Sequence, residues 1–122
     1  MSNTIAAIIL TKDEEKHIAR CINSLKGVCE EVFVIDCFSS DRTKAVAESL
    51  GAEVYQHPWK NYATQFNWGL HNCPITADWV WRIDADEYLD KGLGQTVKKA
   101  ISECADDING IYVRKRIDFM GK

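Results

Sequence analysis

The sequence predicts an α/β fold, a three-layer sandwich whose central sheet is mostly parallel. Short continuous apolar runs alternate along the chain with segments of helical periodicity, the pattern of strands buried on both faces and joined by crossover helices. The runs end in polar or acidic residues, and in such sheets ligands bind at the carboxyl ends of the strands. The length, 122 residues, fits one domain and leaves no room for two ordinary ones.

Thr4 to Leu10 is the first apolar run. Thr11 with Glu14 then forms a capping box, and Asp13, Glu14 and Glu15 load the first helical turn with negative charge. Ile18, Cys21, Ile22 and Leu25 follow at helical spacing. Val32 to Ile35 reads as the second strand and ends at Asp36. Cys37 to Asp41 is a polar turn into a helix carrying Ala45, Val46 and Leu50, and Gly51 stands where a left-handed C-terminal cap is wanted. Ala52 to Gln56 is a shorter strand, stopped by His57-Pro58 because proline cannot continue the ladder. Asn61 to Asn72 reads as a helix with Ala63, Phe66 and Leu70 on one face and with Gln65 and Asn67 solvated. Trp79 to Ile83 is the fourth strand and runs into Asp84-Ala85-Asp86-Glu87. A helix from Lys91 to Cys104 and a strand from Gly110 to Ile117 complete the alternation.

Composition narrows the function classes. With 46% apolar and 27% charged residues the chain has the makings of a packed core, and its net charge of −3 gives no basic footprint for nucleic acid. The longest aliphatic run, Ile5 to Leu10, is far short of the ~20 residues that span a bilayer, and no charged-then-apolar leader precedes it. The five cysteines, Cys21, Cys29, Cys37, Cys73 and Cys104, are odd in number and lack C-x-x-C spacing. They read as reduced thiols packed as small hydrophobes, which implies a cytoplasmic compartment. Cys37 stands apart because it follows a strand into a polar loop.

The acidic strand end carries the chemistry. Two carboxylates leaving a strand at Asp84 and Asp86 point the same way, and at ~4 Å with an effective dielectric near 20 they repel by about 4 kcal/mol. A shared proton, a basic partner, water or a divalent cation must relieve that repulsion. The all-oxygen donor set suits Mg²⁺ or Mn²⁺, and a diphosphate reaches such a rim only with a cation between. The competing reading is a solvated turn capped by Asp86 or Glu87; position at the end of a buried strand favours a site. An EF-hand is excluded, since Tyr88, Leu89 and Gln95 stand where it needs an oxygen ligand, glycine and glutamate. For Asp36, capping and ligand binding both remain open. Lys60 is placed to pair with a phosphate, Trp59 to pack down as an anchor, and His17 and His71 to face solvent.

Taken in order, these segments resemble glycosyltransferase family 2. Thr11-Lys12-Asp13-Glu14-Glu15 is similar to its T-x-N-E-E turn, and Asp36-Cys37-Phe38-Ser39-Ser40-Asp41-Arg42-Thr43 to its D-S-x-S-x-D-x-T. Pro58 to Tyr62 with Gln65, Asn67, Trp68 and Leu70 resembles the version in bacterial lipopolysaccharide-core and cell-surface sugar transferases, and Asp84 to Glu87 matches their D-A-D-E. The resemblance implies a Rossmann-like A-type glycosyltransferase fold and inverting transfer from a nucleotide-diphospho-sugar, with uridine the family-level preference, to a glycan or lipid-linked acceptor. It implies nucleotide contacts for Thr11, Glu14, Asp36, Lys60, Asn67 and Asp84, and metal ligation by Asp86 and Asp84. Residues 1–122 then form the N-terminal, nucleotide-sugar-binding part, with the acceptor half, the general base and peripheral contact with the inner face of the bacterial membrane beyond Lys122. Position 13 is Asp where the family usually has Asn, and Cys37-Phe38 replaces its usual small residues. The alternatives are an idle nucleotide-sugar-binding module and a receiver-type signalling domain, which needs an acceptor Asp where Tyr55-Gln56-His57 stand. Dinucleotide-binding and P-loop folds lack their glycine motifs here.

Overall fold

The structure, a computed structural model, describes residues 4–77 and 79–89; the expected helix from Lys91 to Cys104 and strand from Gly110 to Ile117 lie outside the described residues. Among the described residues seven elements follow in order: β1 (Ile5–Thr11), α1 (Ile18–Leu25), β2 (Glu31–Asp36), α2 (Thr43–Ser49), β3 (Glu53–Gln56), α3 (Tyr62–Asn72) and β4 (Trp79–Asp84).

Every residue of β1 is buried, as the unbroken apolar run requires of a central strand. Its period of two then sorts the core. Ile5, Ala7 and Ile9 pack with Ile18, Cys21, Ile22 and Leu25 of α1 and with Ala47 of α2. Ala6, Ile8 and Leu10 pack on the other face with Phe66, Trp68 and Leu70 of α3. The sheet is thus covered by α1 and α2 on one side and by α3 on the other.

Among the described residues all pairings are parallel and the strand order is β3-β2-β1-β4. The chain builds outward from β1 through β2 to β3, then returns to place β4 on the far side of β1. That reversal opens a crevice at the carboxyl ends of β1 and β4, where open α/β sheets take their ligands. Register puts Leu10 beside Asp84 and Thr11 beside Asp36. The order also disposes of the receiver alternative, whose third strand lies beside β1; here β1 is flanked by β2 and β4, and among the described residues β3 pairs only with β2.

Three local expectations are corrected. Thr11 and Glu14 form no capping box: Thr11 is the buried last residue of β1, and α1 begins only at Ile18, with no side-chain cap. On α3, Ala63 is exposed and Gln65 is buried with Gly69. The helix approaches the sheet so closely at Gly69 that an added Cβ would lie 3.1 Å from Ile35 Cγ1. Trp59 is not a packed-down anchor but is 45% exposed. Gly51 does take the expected left-handed turn, at φ +94°, and Asn61 caps α3 by accepting from the Thr64 N–H at 2.7 Å.

Candidate functional site

A cavity of about 420 Å³ opens at the β1/β4 crevice. Leu10 and Thr11 reach it from β1, Lys12 and Glu14 from the loop after it, Cys37 from the end of β2, Trp59 and Tyr62 from the β3–α3 connection, and Asp84 to Asp86 from the end of β4.

Its rim is braced by two interlocked loops. The backbone N–H groups of Asp13, Glu14 and Glu15 donate to Ser39 Oγ at 2.7 Å, Thr43 Oγ1 at 2.8 Å and Asp41 Oδ2 at 3.1 Å. In return, the N–H of Ser40 donates to Asp13 Oδ1 at 2.7 Å and that of Arg42 to Glu15 Oε1 at 3.2 Å. Polar residues of both motifs therefore satisfy one another's backbone. Asp13 sits at φ +54°, in the left-handed region that Asn and Asp tolerate best, which explains an acid at the family's Asn position. Phe38 also has positive φ, +50°, and is 57% exposed; Gln56 Oε1 accepts its N–H at 2.8 Å and Lys12 Nζ donates to its carbonyl at 3.2 Å.

Asp36 is the keystone of this interlock. It is fully buried, and its Oδ1 accepts from Thr11 Oγ1 and from Ser39 Oγ, both at 2.5 Å, while Oδ2 accepts from the Ser39 N–H at 2.9 Å. It does not line the cavity; Thr11, which it holds, does.

The β4 end forms the acidic corner. Asp84 is half-buried and Asp86 exposed. Glu87, buried to 1%, closes the turn: its Oε1 accepts from the Asp84 N–H at 3.0 Å, and its own N–H donates to the Asp84 carbonyl at 3.0 Å. Burial pushes the Cys21 thiol up to about 12, helped by the negative charges of Glu87, Asp84 and Asp86 and opposed by Arg20. Arg20 Nη2 donates to the backbone carbonyl of Asp86 at 3.4 Å and its guanidinium lies 4.2 Å from the Tyr88 ring centroid. Among the described residues Asp86's carboxylate is in no ion pair. Glu14 is paired with His17 Nδ1 at 3.0 Å, and the His17 side chain stays 44% exposed, the surface position expected of it.

The structure thus brings Thr11, Glu14, Asp84 and Asp86 to one cavity. Lys60 is exposed in the loop beside Trp59. Asn67 is exposed on α3 and lines a separate cavity with His71, Cys73 and Val80, so it is not brought to this rim. Sequence reasoning missed the exposed pair Trp59 and Tyr62, and it missed Gln65. Gly69 was the available signal for Gln65, since a mid-helix glycine marks a close approach and the residue four positions earlier shares its face. No helix among the described residues is long and apolar enough to cross a membrane.

The profile of glycosyl transferase family 2 matches residues 6–120. LpsC of Rhizobium meliloti, a lipopolysaccharide core biosynthesis glycosyltransferase, is 32% identical over 122 residues, covering 96% of this chain and 44% of that protein. An uncharacterised glycosyltransferase of Rickettsia conorii is 43% identical over 98 residues, 80% of this chain and 34% of its own. Of solved structures, S. aureus TarS superposes with a TM-score of 0.70 at 25% identity over 84% of this chain and 33% of TarS. Glucosyl-3-phosphoglycerate synthase from Mycobacterium tuberculosis, in complex with Mn²⁺, uridine diphosphate and glucosyl-3-phosphoglycerate, gives 0.60 at 21% identity over 82% of this chain and 39% of the synthase. The fold is therefore that of the A-type glycosyltransferases. The chain spans between a third and a half of the length of these two curated relatives. With a profile match that runs through both interlocked loops and the acidic strand end, the chain belongs to glycosyl transferase family 2.

Proposed function

We propose that residues 1–122 are the nucleotide-sugar-binding part of an inverting glycosyltransferase that takes a uridine-diphospho-sugar and transfers the sugar to a glycan or lipid-linked acceptor of the bacterial surface. The observation that carries this reading is the placement of Asp84 and Asp86 on the cavity at the sheet's switch point, beside Thr11 and Glu14. The mycobacterial synthase, of the same fold, holds Mn²⁺ and uridine diphosphate, and LpsC supports the lipopolysaccharide context.

The donor set fits a divalent metal. No cluster of three or more His, Cys, Asp or Glu side chains able to cage an ion occurs among the described residues. Two carboxylates with water and diphosphate oxygens completing the shell is the way Mg²⁺ and Mn²⁺ are usually held at phosphate sites. Such an ion neutralises charge on a departing diphosphate. Asp86, exposed and outside any ion pair among the described residues, would be the principal ligand of such an ion, and Asp84 would be the second and would meet the ribose. Glu87 holds the turn that presents both. Thr11 and Glu14 line the nucleotide pocket, Asp36 acts on it through the Thr11 hydroxyl, and Lys60 is near enough in sequence to Trp59 to meet a phosphate. The general base belongs to the acceptor half beyond Lys122.

The test is thermal melting of the chain with uridine diphosphate and Mn²⁺, repeated with EDTA and with other nucleoside diphosphates. Stabilisation by the pair together, lost on chelation, is expected. Equal melting under all conditions would refute the reading.

A further inference from the structure

Gln65 is a polar side chain inside α3 and is wholly buried. Burying an amide is unfavourable unless its groups are bonded, and here both ends are given to one residue eight positions earlier. Nε2 donates to the His57 carbonyl at 3.0 Å, and Oε1 lies 2.8 Å from His57 Nδ1. Since a carbonyl only accepts, the amide orientation follows, and His57 Nδ1 must carry the hydrogen. The His57 ring stacks on Trp68 with centroids 4.6 Å apart, and the His57 N–H donates to the Asp36 carbonyl at 2.9 Å. His57 is held from several sides, and with Asn61 capping α3 the connection between them is pinned at both ends. That connection and the first residue of α3 carry Trp59 and Tyr62 to the cavity. Their rings meet edge to face at 4.8 Å and are 45% and 55% exposed. The Arg82 guanidinium lies over the Tyr62 ring, 5.8 Å from its centroid. The aromatic surface that stays exposed on the cavity can meet a ring of a ligand, and such a surface binds best when it is held in place beforehand.

We propose that Gln65 is a positioning residue: by clamping His57 it holds Trp59 and Tyr62 as a preformed wall against which a ring of the nucleotide-sugar donor packs. This rests on reading the cavity as a nucleotide-sugar site.

The experiment is a double-mutant cycle on the full chain, titrated with UDP-glucose and Mg²⁺. Gln65→Met keeps bulk and removes both bonds; Trp59→Ala removes a wall ring. Each alone should weaken binding roughly tenfold, the loss expected of one stacked ring. The double variant should fall well short of the product of the two losses, because with Trp59 gone the clamp has only Tyr62 left to hold. Losses that multiply to about a hundredfold, or wild-type affinity in Gln65→Met, would overturn the proposal. If Gln65→Met does not fold, His57→Ala breaks the clamp from the loop side in the same cycle. If the wild type itself binds neither UDP-glucose nor UDP, the functional reading fails and amide exchange judges the clamp alone. The His57 and Thr64 amides should then lose protection in Gln65→Met while β1 keeps its own; unchanged protection at both refutes the clamp.

Discussion

Replacing Asp36 should unfasten the two loops from each other, and the size of the effect can be worked from its three bonds. The carboxylate receives Thr11 Oγ1, Ser39 Oγ and the Ser39 N–H with no exposure to water. In Asp36→Asn the amide nitrogen takes the Oδ1 position, where two hydroxyls can rotate to accept from it, and the amide oxygen keeps the Ser39 N–H. Charge assistance is lost from all three bonds, and both hydroxyl hydrogens must turn to other acceptors. Since bonds to charged groups contribute about 1.5–3 kcal/mol against about 0.5–1.5 for neutral ones, the cost is about 1–1.5 kcal/mol per bond, roughly 3–4.5 kcal/mol for the three before relaxation. Asp36→Ala leaves all three donors without a partner in a dry site, at about 1–3 kcal/mol each before relaxation. A net cost of roughly 3–5 kcal/mol is expected, a large part of the stability of an ordinary domain. Urea unfolding followed by far-UV dichroism gives both values from the midpoint, provided the slope is unchanged. An alanine variant less than about 0.5 kcal/mol below wild type would look like an ordinary surface substitution and would refute the keystone role.

Gly69→Val should destabilise by about 1–3 kcal/mol through overpacking, since even a Cβ there lies 3.1 Å from Ile35 Cγ1; a midpoint at or above wild type would show that α3 can move away. Partial burial raises the Asp41 carboxyl, but hydrogen bonds from the Thr43 hydroxyl, the Thr43 N–H and the Glu15 N–H prevail and hold it below its ordinary 3.8. A depressed folded pKa means that this contribution is complete above the unfolded value and is lost as pH falls through the lower folded one. Wild type should therefore lose more stability than Asp41→Asn between pH 5 and pH 2; parallel pH profiles would contradict the assignment. Iodoacetamide at pH 8, read by peptide mass spectrometry, should modify half-buried Cys37 well ahead of Cys21 and Cys73, whose thiols burial holds at about 12. UDP with Mg²⁺ should protect Cys37, because it lines the cavity; labelling unaffected by nucleotide would place the ligand elsewhere.

Much of the fold was legible because β1, β2 and β4 are apolar runs that only a doubly covered sheet can bury, and each of the first four strands lies within about a residue of its expected span. What the sequence hid was the destination of polar side chains. Thr11, followed by Glu14, reads as a helix cap; the hydroxyl instead turns across to Asp36 on the neighbouring strand, 25 residues away. A pattern of spacing within one segment cannot show a bond between two loops that meet only when their strands pair. Gln65 was read as solvated for the same reason: its partner, His57, lies outside the helix. Conversely, Trp59 is large and apolar enough to suggest an anchor, yet it stands at the cavity with Tyr62. The position of Asp84 and Asp86 on the cavity was legible because β4 ends at Asp84, on the carboxyl rim of the sheet.

Electron paramagnetic resonance of Mn²⁺ decides most directly whether the β4 carboxylates hold a metal–diphosphate donor. Free Mn²⁺ is counted with UDP alone, then with UDP and the wild-type chain, then with UDP and Asp86→Asn. Wild type should remove Mn²⁺ beyond what UDP binds by itself, and Asp86→Asn should return the signal to the level of UDP alone. Equal sequestration by both chains, or none by wild type, would contradict the account.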